Sequence, residues 1–487
     1  MSPILAARRA GVLLHPTSLP GPGPRGTLGA DARRFVDWLV AGGFSVWQTL
    51  PLGPADAYDS PYCLRSAYAG DPRFIDGADL ANLEQLPRGL VVSGEPAETY
   101  ASFAVLATVE QRRAFARFVR SRRGWLLPYG LFELFGARFS GAPWWQWPAA
   151  FRDRDGAALF ACLTEHRAQF RALLFEQYLF DLQWTALKRY ANQRGVYLFG
   201  DLPFYVDRNS VEVWWDRRLF QLDARGEPLA VAGVPPDYFN ADGQLWGNPL
   251  YDWEAMERSG FRWWLARLRA QLGRFDLVRI DHFRALESYW EVPAGAATAR
   301  TGQWRHGRGE ALLTALRTEL GALPLVAEDL GIITDAVRAL RERFELPGMV
   351  VLQFAFDGSA DNPHLPRHHR RNAVVYTGTH DNDTTVGWYA TLDANARALV
   401  HRMLDVGDTP AVPEFLIEAA YASNAALAIM PLQDLLAHDS GSRMNAPGTV
   451  VGNWRWRFSW EEIPASLSAV CYDRAVRSGR HVQTSER

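Results

Sequence analysis

Lysine is almost missing from this chain: Lys188 is the only one among 487 residues, and arginine carries the rest of the positive charge. A Schiff-base mechanism has a single candidate, so pyridoxal chemistry is a poor fit. Basic excess is missing too, with Lys+Arg at 52 against Asp+Glu at 54 and a formal net charge of -2. That balance argues against nucleic acid or an anionic membrane as a partner held by bulk charge. Cysteine is scarce, and Cys63, Cys162 and Cys471 lie far apart with neither metal-ligand spacing nor a disulfide framework. No apolar run approaches the ~18 residues of a membrane span. Arg8 and Arg9 interrupt what a secretory signal would need as its apolar core. A cytoplasmic protein is expected.

Tryptophan is what the chain has in excess. Many of its 19 Trp sit beside Gly, Asn or Pro rather than in apolar runs. Indole faces stack on the apolar faces of sugars, but large cores also use them, so most should be structural and a minority should touch ligand.

No internal repeat or low-complexity linker divides the chain. Instead, short apolar runs recur, each ending in polar residues, Gly or Pro. They are Gly11–Leu14, Ser45–Leu50, Val196–Leu202, Leu277–Ile280, Leu325–Ala327, Met349–Phe356, Ala373–Tyr376 and Ala426–Leu432. Runs of this kind read as parallel strands buried on both faces. Eight of them, interspersed with helical patterns, predict an α/β fold: one (β/α)8 TIM barrel over residues 1–487, its active face at the strand ends. Residues 54–190 contain amphipathic stretches at Val105–Arg120 and Phe170–Arg189 and are expected to be a mainly helical insertion after the second strand. Residues 206–261, rich in Gly, Pro, Asp and Trp, read as a lid-like insertion after the third. No C-terminal β-sandwich is expected.

Acids stand at the ends of several strands: Asp201 in GDLP, Asp281 in RIDHFR, Glu328 in AEDLG, and Asp381 with Asp383 in THDND. One such Asp often does no more than cap the next helix. Four strands delivering acids to one end of a barrel converge on a pocket.

The strings around them resemble the α-amylase superfamily, specifically its amylomaltase or disproportionating-enzyme branch. The resemblance covers nearly the whole chain: LLHPTSLPGP (13–22), WQTLPLGP (47–54), DSPY (59–62), GDLPFYV (200–206), GVPPDYF (233–239), GQLWGNPLY (243–251), RIDHFR (279–284), AEDLG (327–331), VLQFAF (351–356), YTGTHDNDTT (376–385) and RMNAPGT…GNWRWR (443–457). It implies a 4-α-glucanotransferase that moves α-1,4-glucan segments between malto-oligosaccharides by a retaining mechanism, without cofactor or metal. By the same resemblance Asp281 is the nucleophile, Glu328 the general acid/base and Asp381 the transition-state stabiliser. Ser60, Tyr62, Asp201, Arg279 and His380 belong to the site of the sugar being cleaved, with Tyr62 as a stacking platform. Tyr238 and Trp246 of the lid and Asn453 of GNWRW are implied on the acceptor side. Asp383 is read as a loop or capping residue.

The chemistry accounts for these residue types. In a retaining glycosidase one carboxylate attacks the anomeric carbon and the other protonates the departing oxygen, the two lying about 5–5.5 Å apart. Strand alternation puts Arg279 on the same face as Asp281, where its charge is expected to hold the nucleophile's pKa down. Glu328 must start protonated, which burial and a negative neighbour favour.

The chain departs from the family pattern at FNADGQ in the lid, at Ala285, Ala296 and Arg308, and at the Tyr of ADAYDSPY, which stands one place late. None of these is one of the three carboxylates, so they bear on subsite preference rather than on reaction type. Three other readings compete. An amylase-type hydrolase would use the same acids with water as acceptor, but no aspartate-rich calcium loop is evident. A non-catalytic glucan-binding protein would not need an acid/base pair. A metal enzyme could recruit His368 and His369, but these sit among arginines in what reads as a polar loop.

Overall fold

The computed structural model describes residues 3–236, 240–407 and 411–482. Twelve strands are assigned among them: β1 Arg9–Leu13, β2 Val46–Gln48, β3 Tyr197–Leu202, β4 Ala230–Val234, β5 Gln244–Pro249, β6 Leu277–Ile280, β7 Ser288–Pro293, β8 Gln303–His306, β9 Leu325–Ala327, β10 Gly348–Val351, β11 Ala373–Tyr376 and β12 Leu427–Pro431. Eight form one parallel sheet in the order β10-β11-β12-β1-β2-β3-β6-β9. The sheet curls into a barrel, nearly closed between β9 and β10. There the Ala327 N–H donates to the Pro347 carbonyl at 2.8 Å. The Asp329 carboxylate spans the same seam by accepting from the Met349 N–H at 2.8 Å.

Alternation explains why these short runs are strands. Val46, Phe199, Leu277, Val326, Val374 and Ile429 point into the barrel and pack on one another. Their chain neighbours Trp47, Leu198, Val278, Leu325, Val375 and Met430 join the larger core beneath the helices. Both faces are apolar because both are covered. All eight expected runs are barrel strands, with shifted ends. Met349–Phe356 is strand only to Val351, after which Leu352–Phe354 forms a 3-10 turn as the chain leaves the sheet.

Between β2 and β3 the chain is mainly helical. The helix Val109–Arg138 begins at a capping box in which the Thr108 side chain accepts the Gln111 N–H. It packs against the helix Arg167–Gln193, which leads into β3. The stretch Val105–Arg120, expected as one amphipathic unit, is split, since a first helix, Pro96–Leu106, ends before Thr108. Phe103, Phe118, Phe175 and Tyr178 give this region a core of its own.

A second sheet was not foreseen. β4, β5, β7 and β8 form an antiparallel sheet in the order β5-β4-β7-β8, joining the loop after β3 to the loop after β6. It had little apolar signal to announce it, because β8 is exposed along its whole length. No helix among the described residues is long and apolar enough to cross a membrane.

Gly11, in the middle of β1, shows how tightly the strands meet: a Cβ there would lie 2.6 Å from both the Val46 carbonyl oxygen and the Ile429 side chain. The carbonyl cannot retreat without moving β2, and the Ile429 side chain would have to change rotamer in a filled interior. Gly11→Ala should cost about 1–3 kcal/mol by overpacking and lower the urea midpoint of unfolding; an unchanged midpoint would show that the barrel yields locally.

Candidate active site

The inward-facing positions change character towards the strand ends. On β3 Phe199 is followed two residues later by Asp201, and on β6 Leu277 is followed by Arg279 and then Asp281. On β9 Val326 is followed by Glu328, just past the strand. Register does the rest. Asp201 pairs with Arg279 across β3 and β6, and Ile280 pairs with Ala327 across β6 and β9. Asp281 and Glu328 therefore emerge from neighbouring strand ends at the same height, one level above Arg279.

Arg279 is the centre of the polar layer. Its side chain is 6% exposed. One terminal nitrogen donates to both Asp201 oxygens, at 2.9 and 2.7 Å. The other lies 2.8 Å from Asp281 Oδ1. Asp201 also accepts from the Tyr62 hydroxyl at 2.7 Å. The Tyr62 ring lies nearly parallel to the imidazole of His380, with centroids 5.2 Å apart and planes at 17°. Ser60 shapes the turn beneath this ring, its N–H donating to Asp56 and its hydroxyl accepting from the Tyr62 N–H.

Glu328 is held by main chain. Its Oε2 accepts from the His282 N–H at 2.7 Å and its Oε1 from the Leu330 N–H at 2.8 Å. His282 can present its N–H this way because the chain turns left-handed immediately after Asp281, with φ 49° and ψ 46°. His is among the few non-glycine residues enriched there. Trp246 on β5 meets the His282 ring edge to face at 4.7 Å, so the second sheet bears on the same turn.

Asp381 and His380 come from the turn after β11, closed by Asn382, whose side-chain oxygen accepts the Thr379 N–H at 2.9 Å. His380 Nε2 lies 3.4 Å from Asp381 Oδ2. Burial lowers the His380 pKa and outweighs the neighbouring carboxylate, so the ring is neutral. Asp383 accepts from the Thr384 N–H and the Ser440 hydroxyl, which is a loop-building role.

Two residues in contact with Asp381 were missed from sequence. Asn445 donates its amide to Asp381 Oδ1 at 2.6 Å, and Arg443 donates to the Asp381 carbonyl at 2.6 Å. Both belong to the RMN string, which was visible, but no spacing rule ties it to an acid 64 residues away. Asn453 is spent inside its own loop, accepting from the Ala446 N–H and donating to the Thr449 carbonyl, both at 3.0 Å. Tyr238 lies outside the described residues. His369 bonds to Ser423 and to the His364 carbonyl. Among the described residues no group of three or more His, Cys, Asp and Glu could hold a metal ion.

Electrostatics corrects one expectation. Arg279 does pull Asp281 down, but burial is the larger effect, and Asp281 ends above the ordinary carboxylate range. Burial raises Glu328 as well, against Arg279 and its two N–H donors. The two acids repel each other's charge, so the pair keeps one proton where isolated carboxyls would keep none. Of the two, Asp281 has the guanidinium in direct contact, which favours it as the anion and leaves the proton to Glu328.

A family model described as 4-alpha-glucanotransferase matches residues 14–462. A 4-alpha-glucanotransferase of Thermus thermophilus is 46% identical over 483 residues, covering 95% of this chain and 96% of the relative. Another from Synechocystis sp. is 43% identical over 487 residues, covering 96% of each. Among solved structures, an amylomaltase from Streptococcus agalactiae in complex with acarbose matches with a TM-score of 0.91 at 33% identity, covering 97% of this chain and 99% of that one.

Removing the central cation tests the charge layer without any assay of turnover. Arg279→Met leaves buried Asp201 and half-buried Asp281 without a countercharge, which should cost about 3–5 kcal/mol at neutral pH. With the cation gone, nothing offsets the burial that already raises Asp281, so its folded-state pKa rises further and lost stability should return as pH falls and it protonates. Urea midpoints of variant and parent that stay equally far apart at neutral and mildly acidic pH would refute this account.

Proposed function

The chain belongs to the 4-alpha-glucanotransferase family and acts on α-1,4-glucans; from that premise we propose that it transfers glucan segments by retaining double displacement, with Asp281, Glu328 and Asp381 as the working acids. The observation that carries the mechanism is the placing of one guanidinium-bound acid and one main-chain-held acid on adjacent strand ends.

In the first half, the Asp281 carboxylate attacks the anomeric carbon while the bond to the bridging oxygen breaks. Glu328 gives its proton to that oxygen, and the shortened glucan departs with a new 4-hydroxyl. What remains is a glucosyl ester on Asp281. In the second half Glu328, now a carboxylate, takes the proton from the 4-hydroxyl of an acceptor. The acceptor oxygen bonds to the anomeric carbon, the ester breaks and Asp281 is restored as a carboxylate. Two inversions return the α configuration.

Asp381 accepts hydrogen bonds from ring hydroxyls, and these strengthen as positive charge develops on the sugar ring. Asn445 occupies Oδ1 and so presents Oδ2 to the sugar. His380 and Arg279 donate at the same subsite, Asp201 and Ser60 build its floor, and Tyr62 offers its ring. Trp246 and Tyr238 belong to the acceptor side, with Asn453 bracing the loop beside it.

The partners are malto-oligosaccharides, serving as donor and acceptor alike, with no cofactor required. Transfer rather than hydrolysis is supported by the second sheet, whose Trp246 covers the turn beside the nucleophile and would help keep water from the ester. A cytoplasmic location accords with the three cysteines being free.

Incubation with maltotriose, without added metal, should give glucose and a ladder of longer oligomers at constant reducing ends; rising reducing ends with only shorter products would mean a hydrolase. Asp281→Asn and Glu328→Gln should each lose transfer while remaining folded, and near-parental turnover by either purified variant would remove that residue from its role. Because burial raises the Asp281–Glu328 pair, activity should be lost towards alkaline pH, as the pair gives up its single proton, well above the range of an ordinary carboxyl. An alkaline limb of kcat/KM at about 4–5, the usual carboxylate value, would count against the shared proton.

A further inference from the structure

Outside the catalytic layer, the side of the barrel carries a cleft of about 1090 Å³. Its walls are the middles of the helices Val109–Arg138 and Arg167–Gln193 on one side and the helices Trp253–Arg258 and Arg262–Arg274 on the other, with Val211–Leu219 as floor. None of the catalytic or sugar-binding residues described above lines it.

The lining is strongly biased in charge. Seven Arg and Lys face three Asp and Glu, in a chain whose formal net charge is -2. Four of the cations are already spoken for: Arg122 pairs with Asp181, Lys188 with Asp276, Arg258 with Glu254 and Arg269 with Glu319. Arg218, Arg262 and Arg274 make no ion pair among the described residues. Arg218 and Arg262 are exposed at the rim, where solvent serves them.

Arg274 is different. It is only partly exposed, and its guanidinium rests on the Phe180 ring, 5.4 Å from the centroid. Burial pushes its pKa down to about 10, which means the site as it stands disfavours the charge it holds. An anion would reverse that. Burial raises Asp216 and pushes Glu212 up to about 7, which weakens the floor's opposition to an anion, and Asp181, whose charge also acts on Arg274, is paired with Arg122.

Aromatic rings supply the other half of a site. Trp125 stacks on Tyr68 with planes at 10°, and Trp215, the last residue of the floor helix, is half-buried with the Arg154 guanidinium 5.9 Å from its ring centroid. Guanidinium groups favour phosphate oxygens, and indole faces take the apolar face of a sugar ring or a base. A neutral glucan would use the rings and leave Arg274 unpaired. Inorganic phosphate would use Arg274 and leave the rings idle. A cavity this size suits a small organic molecule rather than a bare ion.

We propose that this cleft is a second ligand site, built for a phosphate ester of a sugar, with Arg274 on the phosphate and Trp215 against the ring. The sugar is either a free hexose phosphate or the ribose phosphate of a nucleotide, since both carry the same two features.

Calorimetric titration of the full chain with glucose 1-phosphate and, separately, ATP tests this. At least one should bind saturably, and which one does identifies the source. Arg274→Gln should weaken that binding by about tenfold or more, as loss of a charge-assisted contact does. Trp215→Ala should weaken it as well, and both variants should keep transfer from maltotriose. Glu328→Gln should bind the ester as the parent does. The proposal is overturned if neither compound binds, if maltotriose displaces the bound ester, or if both cleft variants bind like the parent. Inorganic phosphate binding as tightly as the ester, with Trp215→Ala unaffected, would reduce the cleft to a simple anion site and equally overturn it.

Discussion

A single guanidinium governs the chemistry of this barrel. Arg279 is almost closed to water between Asp201 and Asp281, and among the described residues it is the cation paired with both carboxylates. Its charge cannot satisfy all the carboxyls that the strand ends deliver, so the excess is settled by retaining a proton. That shortage is useful. A layer with one more cation would leave Glu328 ionised at rest, unable to protonate a leaving oxygen; a layer with none would leave Asp281 a neutral, feeble nucleophile.

The rest of the site is arranged to keep that balance fixed in space. Asp201 is anchored from below by Tyr62, whose ring is in turn held against His380. Glu328 is oriented by two peptide N–H groups rather than by side chains, one of them available only because His282 turns left-handed. Asp381 is more open than Asp281 and is gripped from the far end of the chain by Asn445 and Arg443. Groups held this way need little rearrangement as charge develops on the substrate, which is where most electrostatic catalysis comes from.

What the sequence revealed and what it hid divide along physical lines. The barrel strands were legible because residues such as Leu198 and Phe199 are both apolar and must both be covered, a pattern that survives without knowing the neighbours. β8 was not, since Gln303–His306 is exposed and lies at the edge of its sheet, paired with β7. The break at Thr108 was written in a capping box but lay inside a longer amphipathic pattern that suggested continuity. The three acids were readable as acids at strand ends. The sign of the shift on Asp281 was not, because the guanidinium is local and visible while burial is a property of the whole fold. Asn445 was hidden for the same reason: its partner is set by two loops meeting in space.

The way the barrel closes has its own consequence. Seven of its strand junctions are ladders with three to five residues in register. The eighth, between β9 and β10, is clasped by one peptide bond donor and by the Asp329 side chain. A hoop gives at its clasp, and local opening is cheapest where fewest backbone bonds must break. Asp329 directly follows Glu328, so the weakest stave joint and the acid/base share a piece of backbone. Opening of that joint would therefore act first on the backbone that carries the proton donor.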